Sequence, residues 1–180
     1  MEGANHTDKR AKRAGVVCRL ATYNLKTAGK PGALFELGTH LTNFSADITA
    51  LQEPYLMHGT PHEMKQKDIM VIAAQKKTAW AVAHRFLEAQ KWAAANLSDR
   101  VSALRFQDMK LLLVNVYAPA ATKFNTKEER IIFWEKLPGL VKGVREEGDH
   151  VCLMGDFNVA FPPWLVDLWC VHTTKGETTN

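Results

Sequence analysis

The sequence predicts an α/β fold in which strands and helices alternate as layers. Two observations carry that expectation. Short runs of β-branched, aromatic and other apolar residues recur along the chain, from Val16–Tyr23 to Val151–Met154. Between them lie apolar stripes at helical spacing, Leu34, Leu37, Leu41 and Phe44 first, then Phe133, Leu137, Leu140, Val141 and Val144.

Taken in order, Val16–Tyr23 is a strand, followed by Asn24-Leu25-Lys26-Thr27 and a Gly29-Lys30-Pro31-Gly32 turn. The Leu34–Phe44 stripe is a helix, and Ile48–Leu51 is a short buried strand ended by Gln52-Glu53-Pro54. Strand–helix–strand order is the signature of the α/β class. Ile69–Ala74 and Trp80–Ala83 are further strands. Arg85–Ala95 is rich in Ala, Leu, Glu and Lys, and propensity alone predicts a helix there. Val101–Phe106 and Leu111–Tyr117 flank Gln107-Asp108-Met109-Lys110 as an antiparallel pair. Thr126 and Glu129 form a capping box that opens a helix running to Val144, with Pro138-Gly139 expected to kink or split it. Val151–Met154 then opens directly into Gly155-Asp156-Phe157-Asn158.

A chain of 180 residues suits one domain with a sizeable core. No apolar run approaches the roughly 20 residues that cross a bilayer, and the polar, basic N-terminus lacks a secretory h-region, so no membrane partner is expected. The net charge of +4 points mildly to an anionic partner. Much of it lies in residues 1–15, where Lys9, Arg10, Lys12 and Arg13 outnumber Glu2 and Asp8. That segment is expected to be a disordered basic arm, either a solubilising leader or a source of salt-dependent affinity for nucleic acid, ahead of a domain over 16–180. Cys18, Cys152 and Cys170 are odd in number and far apart. Cys18 and Cys152 sit in apolar runs as small core residues, which fits an intracellular, reducing compartment.

Four buried strands end in residues with oxygen-ligand or phosphate chemistry: Asn24, Glu53, Tyr117 and the pair Asp156/Asn158. Strand C-termini are where α/β sheets place their sites. Each has a structural explanation when taken singly. Asn24 can bond its own backbone, Glu53 can cap or turn, Tyr117 can be a half-buried sheet aromatic, and Asp156-Phe157-Asn158 can build a tight turn. Their joint occurrence points instead to one site. Zinc-spaced Cys/His clusters, a Gly-rich phosphate cradle and a G-x-S-x-G elbow are all missing from the sequence.

These residues carry a family resemblance. Leu20-Ala21-Thr22-Tyr23-Asn24, Ile48-Thr49-Ala50-Leu51-Gln52-Glu53, Val114-Asn115-Val116-Tyr117-Ala118-Pro119 and Gly155-Asp156-Phe157-Asn158 resemble, in order and spacing, motifs of the endonuclease/exonuclease/phosphatase superfamily. Leu97-Ser98-Asp99-Arg100-Val101 and Leu165-Val166-Asp167-Leu168-Trp169 are similar to segments of non-LTR retrotransposon endonuclease domains. The resemblance implies a DNase I-like α/β sandwich of two mixed sheets with the helices outside, and strand and loop rather than helix near Arg85–Ala95.

It also implies Mg²⁺, with Mn²⁺ as the substitute, held by Glu53 with Asn24 orienting metal or phosphate. Asp156 would orient and deprotonate water, while Asn158 and Tyr117 hold the scissile phosphate. Lys26, Arg100 and Asn115 are implied phosphate or DNA contacts, and Lys26 stands where many family nucleases have an acidic residue. DNA is the implied substrate, a downstream reverse transcriptase the implied polyprotein partner, and the nucleus the implied location. The resemblance departs at the end: after Asn158 no Ser-Asp-His motif follows, and the Ala160–Leu165 join looks shortened. His172 falls where related domains have a His-Pro segment and is not expected to replace the missing His. The domain is therefore expected to be C-terminally incomplete. Three functions compete: a metal-dependent DNA endonuclease, a non-catalytic remnant that binds nucleic acid, and a phosphatase of small phosphoesters.

Overall fold

The computed structural model describes residues 18–25, 46–54, 62–64, 68–75 and 77–159. The basic arm, Lys26, the Leu34–Phe44 helix, Cys170, His172 and the C-terminal tail lie outside the described residues.

Nine strands make two sheets among the described residues. The first runs β1 (Leu20–Asn24), β2 (Ile48–Gln52), β5 (Thr78–Ala83), β4 (Ile69–Gln75), β3 (His62–Met64) in spatial order. The second runs β6 (Trp92–Ser98), β7 (Val101–Phe106), β8 (Leu111–Tyr117), β9 (His150–Asp156). Both sheets are mixed. β1 lies parallel to β2 and β8 parallel to β9, while the remaining pairs are antiparallel. The expected two-sheet α/β architecture is the one observed.

Period-two alternation explains how the layers stack. On the inner faces Ile48 and Ala50, Trp80 and Val82, Leu104 and Phe106, Leu113 and Met154 meet in a shared core. Trp80 and Phe106 are fully buried there, each contributing about 1.5–3 kcal/mol. The intervening Val101, Ala103, Leu112, Val114 and Val116 face outward and are covered by the long helix α2 (Lys127–Lys142). Its contact face is the expected Phe133, Leu137, Leu140 and Val141, with Trp134 added; the helix ends at Lys142, short of Val144, which packs on the same cluster from beyond its C-cap. The Thr126–Glu129 capping box forms as expected. Pro138 does not split α2, which is continuous to Lys142. Pro138 is exposed, so the carbonyl one turn earlier that loses its N–H partner lies on the solvent side of the helix.

One expectation from propensity is corrected. Only the short helix α1 (His84–Glu88) forms within Arg85–Ala95, and Trp92–Ser98 is an edge strand paired with β7 from Trp92↔Phe106 to Ser98↔Val101. Ladder hydrogen bonds and burial of Trp92 against the core outweigh the few tenths of a kcal/mol per residue that favour helix in an Ala-rich segment. Cys18 and Cys152 pack against the inner core as expected, and burial, helped by the nearby Asp47 carboxylate, lifts the Cys18 thiol to about 11. Among the described residues no helix is long and apolar enough to cross a membrane.

Candidate active site

The site is the polar rim of the inner layer. Following each inward row to its C-terminal end, Ile48 and Ala50 give way to Gln52, Leu111 and Leu113 to Asn115 and Tyr117, and Met154 to Asp156. Thr22 and Asn24 hold the corresponding positions on β1. Parallel pairing then sets these residues side by side, because Asn24 is the register partner of Gln52 and Tyr117 that of Asp156. Each sheet therefore presents half of a cluster at the same edge.

Glu53 needs a further device. Strict alternation would send the residue after Gln52 to the opposite face. Its φ of 53° places it in the left-handed region, which turns its carboxylate into the cluster. That conformation costs about 1–3 kcal/mol for a residue with a side chain and is concentrated at functional sites. Asn158 has a φ of 48°, a conformation that Asn tolerates better.

The halves meet through four side-chain groups. Asn24 Nδ2 donates to Glu53 Oε1 at 3.1 Å and to Asp156 Oδ2 at 2.9 Å. The Tyr117 hydroxyl donates to Glu53 Oε1 at 2.7 Å. Two carboxylates, one from each sheet, thus sit on either side of a single amide nitrogen. Asp156 Oδ1 accepts from the Asn158 backbone N–H at 3.1 Å, and Asn158 Nδ2 donates to the Ala118 carbonyl at 2.8 Å. Gly155 makes the approach possible. A Cβ there would lie 2.0 Å from the Val116 carbonyl oxygen, and its φ of 135° is open to glycine alone. Phe157 anchors the same loop by packing on Trp134 of α2, with ring centroids 6.0 Å apart.

Arg100 borders the cluster. Its guanidinium lies over the Tyr117 ring at 5.2 Å and donates to the Tyr117 carbonyl at 3.5 Å. Asn115 is placed differently from expectation. It is fully buried, donating Nδ2 to the Leu51 and Ala79 carbonyls at 2.9 Å each and accepting from Gln52 at 2.8 Å. An amide with both N–H groups spent inside the protein is not a phosphate contact, and its place is the seam between the sheets. Gln52 and Phe157 have positions that reading the strand ends for ligand chemistry passed over. A polar residue in an inward row of β2 was the available signal for Gln52.

Two carboxylates with hard oxygen donors suit a hydrated Mg²⁺, which needs few protein ligands. Among the described residues no group of three or more His, Cys, Asp or Glu converges. His84 opens α1, and His150 opens β9 at the end away from Asp156.

The two stacked mixed sheets are a DNase I-like α/β sandwich, and the cluster lies at their strand C-termini. No family model matches the sequence, and no curated protein does. Solved structures match at low identity. An AP endonuclease from Archaeoglobus fulgidus aligns at TM-score 0.64 and 16% identity over 82% of this chain and 60% of its own. A Neisseria 3′ phosphatase, NExo, bound to product DNA hairpin, aligns at 0.56 and 17% over 80% and 59%. The endonuclease domain of TRAS1, a telomere-specific non-LTR retrotransposon, aligns at 0.50 and 19% over 79% and 61%. The chain spans about three fifths of the length of these structures.

Proposed function

We propose that the chain is a divalent-metal-dependent phosphodiesterase acting on DNA, of the kind found as the endonuclease domain of non-LTR retrotransposons. The observation that carries this reading is the Asn24 amide joining Glu53 and Asp156 across the two sheets, with the Tyr117 hydroxyl on Glu53. The likeness of the fold to the endonuclease domain of TRAS1 and to a phosphatase bound to DNA supports it.

Glu53 would hold the cation, Mg²⁺ or in its place Mn²⁺, and Asn24 holds Asp156 beside it. Bound there, the ion would neutralise phosphate oxygens and the developing charge of the leaving oxygen. Asp156, steadied by the Asn158 backbone N–H, orients water and takes its proton. Asn158 and the guanidinium of Arg100 would supply donors and charge along the path of the phosphate, while Tyr117 holds Glu53 through its O–H and would reach phosphate only by releasing that bond. Lys26, two residues beyond Asn24, adds a basic contact in this reading. A nuclear location and an association with a reverse transcriptase of the same polyprotein belong to the same proposal.

Nicking of supercoiled plasmid with Mg²⁺, beside hydrolysis of a small phosphomonoester, tests it. Plasmid is expected to be nicked and the monoester left intact. The opposite pattern would make the protein a phosphatase. DNA binding without any nicking by folded protein would make it a non-catalytic binder.

A further inference from the structure

The cluster is divided between the layers. Asn24 and Glu53 belong to one sheet, and Tyr117, Asp156 and Asn158 to the other. Apolar burial presses the sheets together but is non-directional, so it opposes sliding of one over the other only weakly. A 2.7 Å contact from Tyr117 to Glu53 tolerates little sliding, since hydrogen bonds weaken steeply outside a narrow range of distance and angle. A directional link between the layers is needed.

One lies directly behind the cluster. Gln52 and Asn115 are 1% and 0% exposed and sit at the facing ends of the two inward rows. Gln52 Nε2 donates across the seam to Asn115 Oδ1 at 2.8 Å and to the Ala50 carbonyl at 3.1 Å. Asn115 Nδ2 donates back to the Leu51 and Ala79 carbonyls at 2.9 Å. Gln52 Oε1 accepts from the Thr22 hydroxyl at 3.2 Å. These bonds tie β1, β2 and β5 to β8 and leave neither amide with an unspent N–H. An apolar pair of similar volume would fill the seam at lower desolvation cost, so what the amides contribute is direction. Gln52 immediately precedes Glu53, and Asn115 is one inward position before Tyr117.

We propose that Gln52 and Asn115 are positioning residues that set the registry of the two sheets, so that Tyr117 meets Glu53 and Asn24 meets Asp156. Both are buried and act through those side chains rather than on substrate. The kinetic half of the test rests on the phosphodiesterase reading; the stability half does not.

In the full chain, urea midpoints of Tyr117→Phe, Glu53→Ala and their combination are compared with and without Asn115→Leu. With the pair intact the two midpoint shifts are non-additive, because each substitution removes the same hydrogen bond. In the Asn115→Leu background they become additive. Non-additivity that persists there, or additivity already present with the pair intact, overturns the proposal. Gln52→Met, which keeps chain length and loses the amide, gives the same comparison should Asn115→Leu not fold. In plasmid nicking, both variants are expected to lower kcat by about ten- to a hundred-fold with little change in KM, the loss that follows from misplacing a hydrogen bond to a charged group. A raised KM at unchanged kcat contradicts the proposal. A wild-type chain that does not nick would remove the phosphodiesterase reading, and the urea comparison would still decide the positioning role.

Discussion

In the proposed reaction Glu53 would hold the cation, and its backbone lies in the left-handed region at a φ of 53°. It accepts from both Asn24 and Tyr117 through one oxygen, Oε1. Glu53→Gln keeps the shape and removes the charge, so metal-dependent nicking is expected to fall by about 10²–10⁴-fold with folding retained, as read by steady-state kinetics beside circular dichroism. Gly155 makes the converse case, a residue without chemistry whose replacement is structural. Gly155→Ala would drive a methyl into the Val116 carbonyl at 2.0 Å and force a φ of 135° on a side-chain-bearing residue. A loss of at least about 3 kcal/mol in urea unfolding is expected, enough to prevent folding of a marginal domain. At this scale the sequence was legible wherever side-chain chemistry interrupts an apolar row. Asn24, Glu53, Tyr117, Asp156 and Asn158 were all visible for that reason, and the structure brings them together. Asn115 was misassigned because a strand-end amide has the same composition whether it faces phosphate or a seam, and only the partner sheet decides.

Elements were legible in proportion to how locally they are determined. α2 announced itself through the Thr126–Glu129 box and a periodic apolar face, both of which formed. β6 did not, because Ala93, Ala94 and Ala95 carry no strand preference and their ladder with β7 is a non-local fact. α2 also contains Gly139, where an added Cβ meets nothing within 4 Å. Gly139→Ala is expected to stabilise the protein by about 0.5–1 kcal/mol, with Thr126→Ala costing about 1 kcal/mol, both measured as changes in urea unfolding. Should Gly139→Ala destabilise instead, the exposed helical setting assigned to this position would be wrong.

The pairing of four strand ends into one cluster is a property of the whole molecule, and composition and periodicity do not contain it. The order of motifs along the chain implied it through resemblance, and the two parallel pairs realise it. The end of the layers away from the site is held by charge. Arg105 donates to buried Asp149 at 2.8 and 3.1 Å and to Glu146 at 2.8 Å. That hydrogen bonding, ahead of the opposing effect of burial, holds the Asp149 carboxyl below its usual 3.8. At Asp47 burial pushes upward, but bonds from the Arg19 backbone N–H and the Arg85 guanidinium prevail, and its carboxyl too lies below 3.8. Both groups release protons more readily in the folded than in the unfolded chain. Their stabilisation is therefore present in full above about pH 4 and is lost as pH falls from 3.8 through the folded values. Urea midpoints recorded from pH 7 to pH 2 should show this loss, and Arg105→Met should flatten it. An unchanged slope in that variant would remove Arg105 as its cause.

Glu53 and Asp156, joined across the sheets by Asn24, are proposed to form a cation-dependent phosphodiester-cleaving centre. Plasmid nicking by the full chain in Mg²⁺, with EDTA and with Glu53→Ala and Asp156→Ala as paired controls, measures it directly. The expected result is nicking that EDTA abolishes and that each substitution removes while the fold persists. Nicking that survives either substitution, or that proceeds in EDTA, would contradict it.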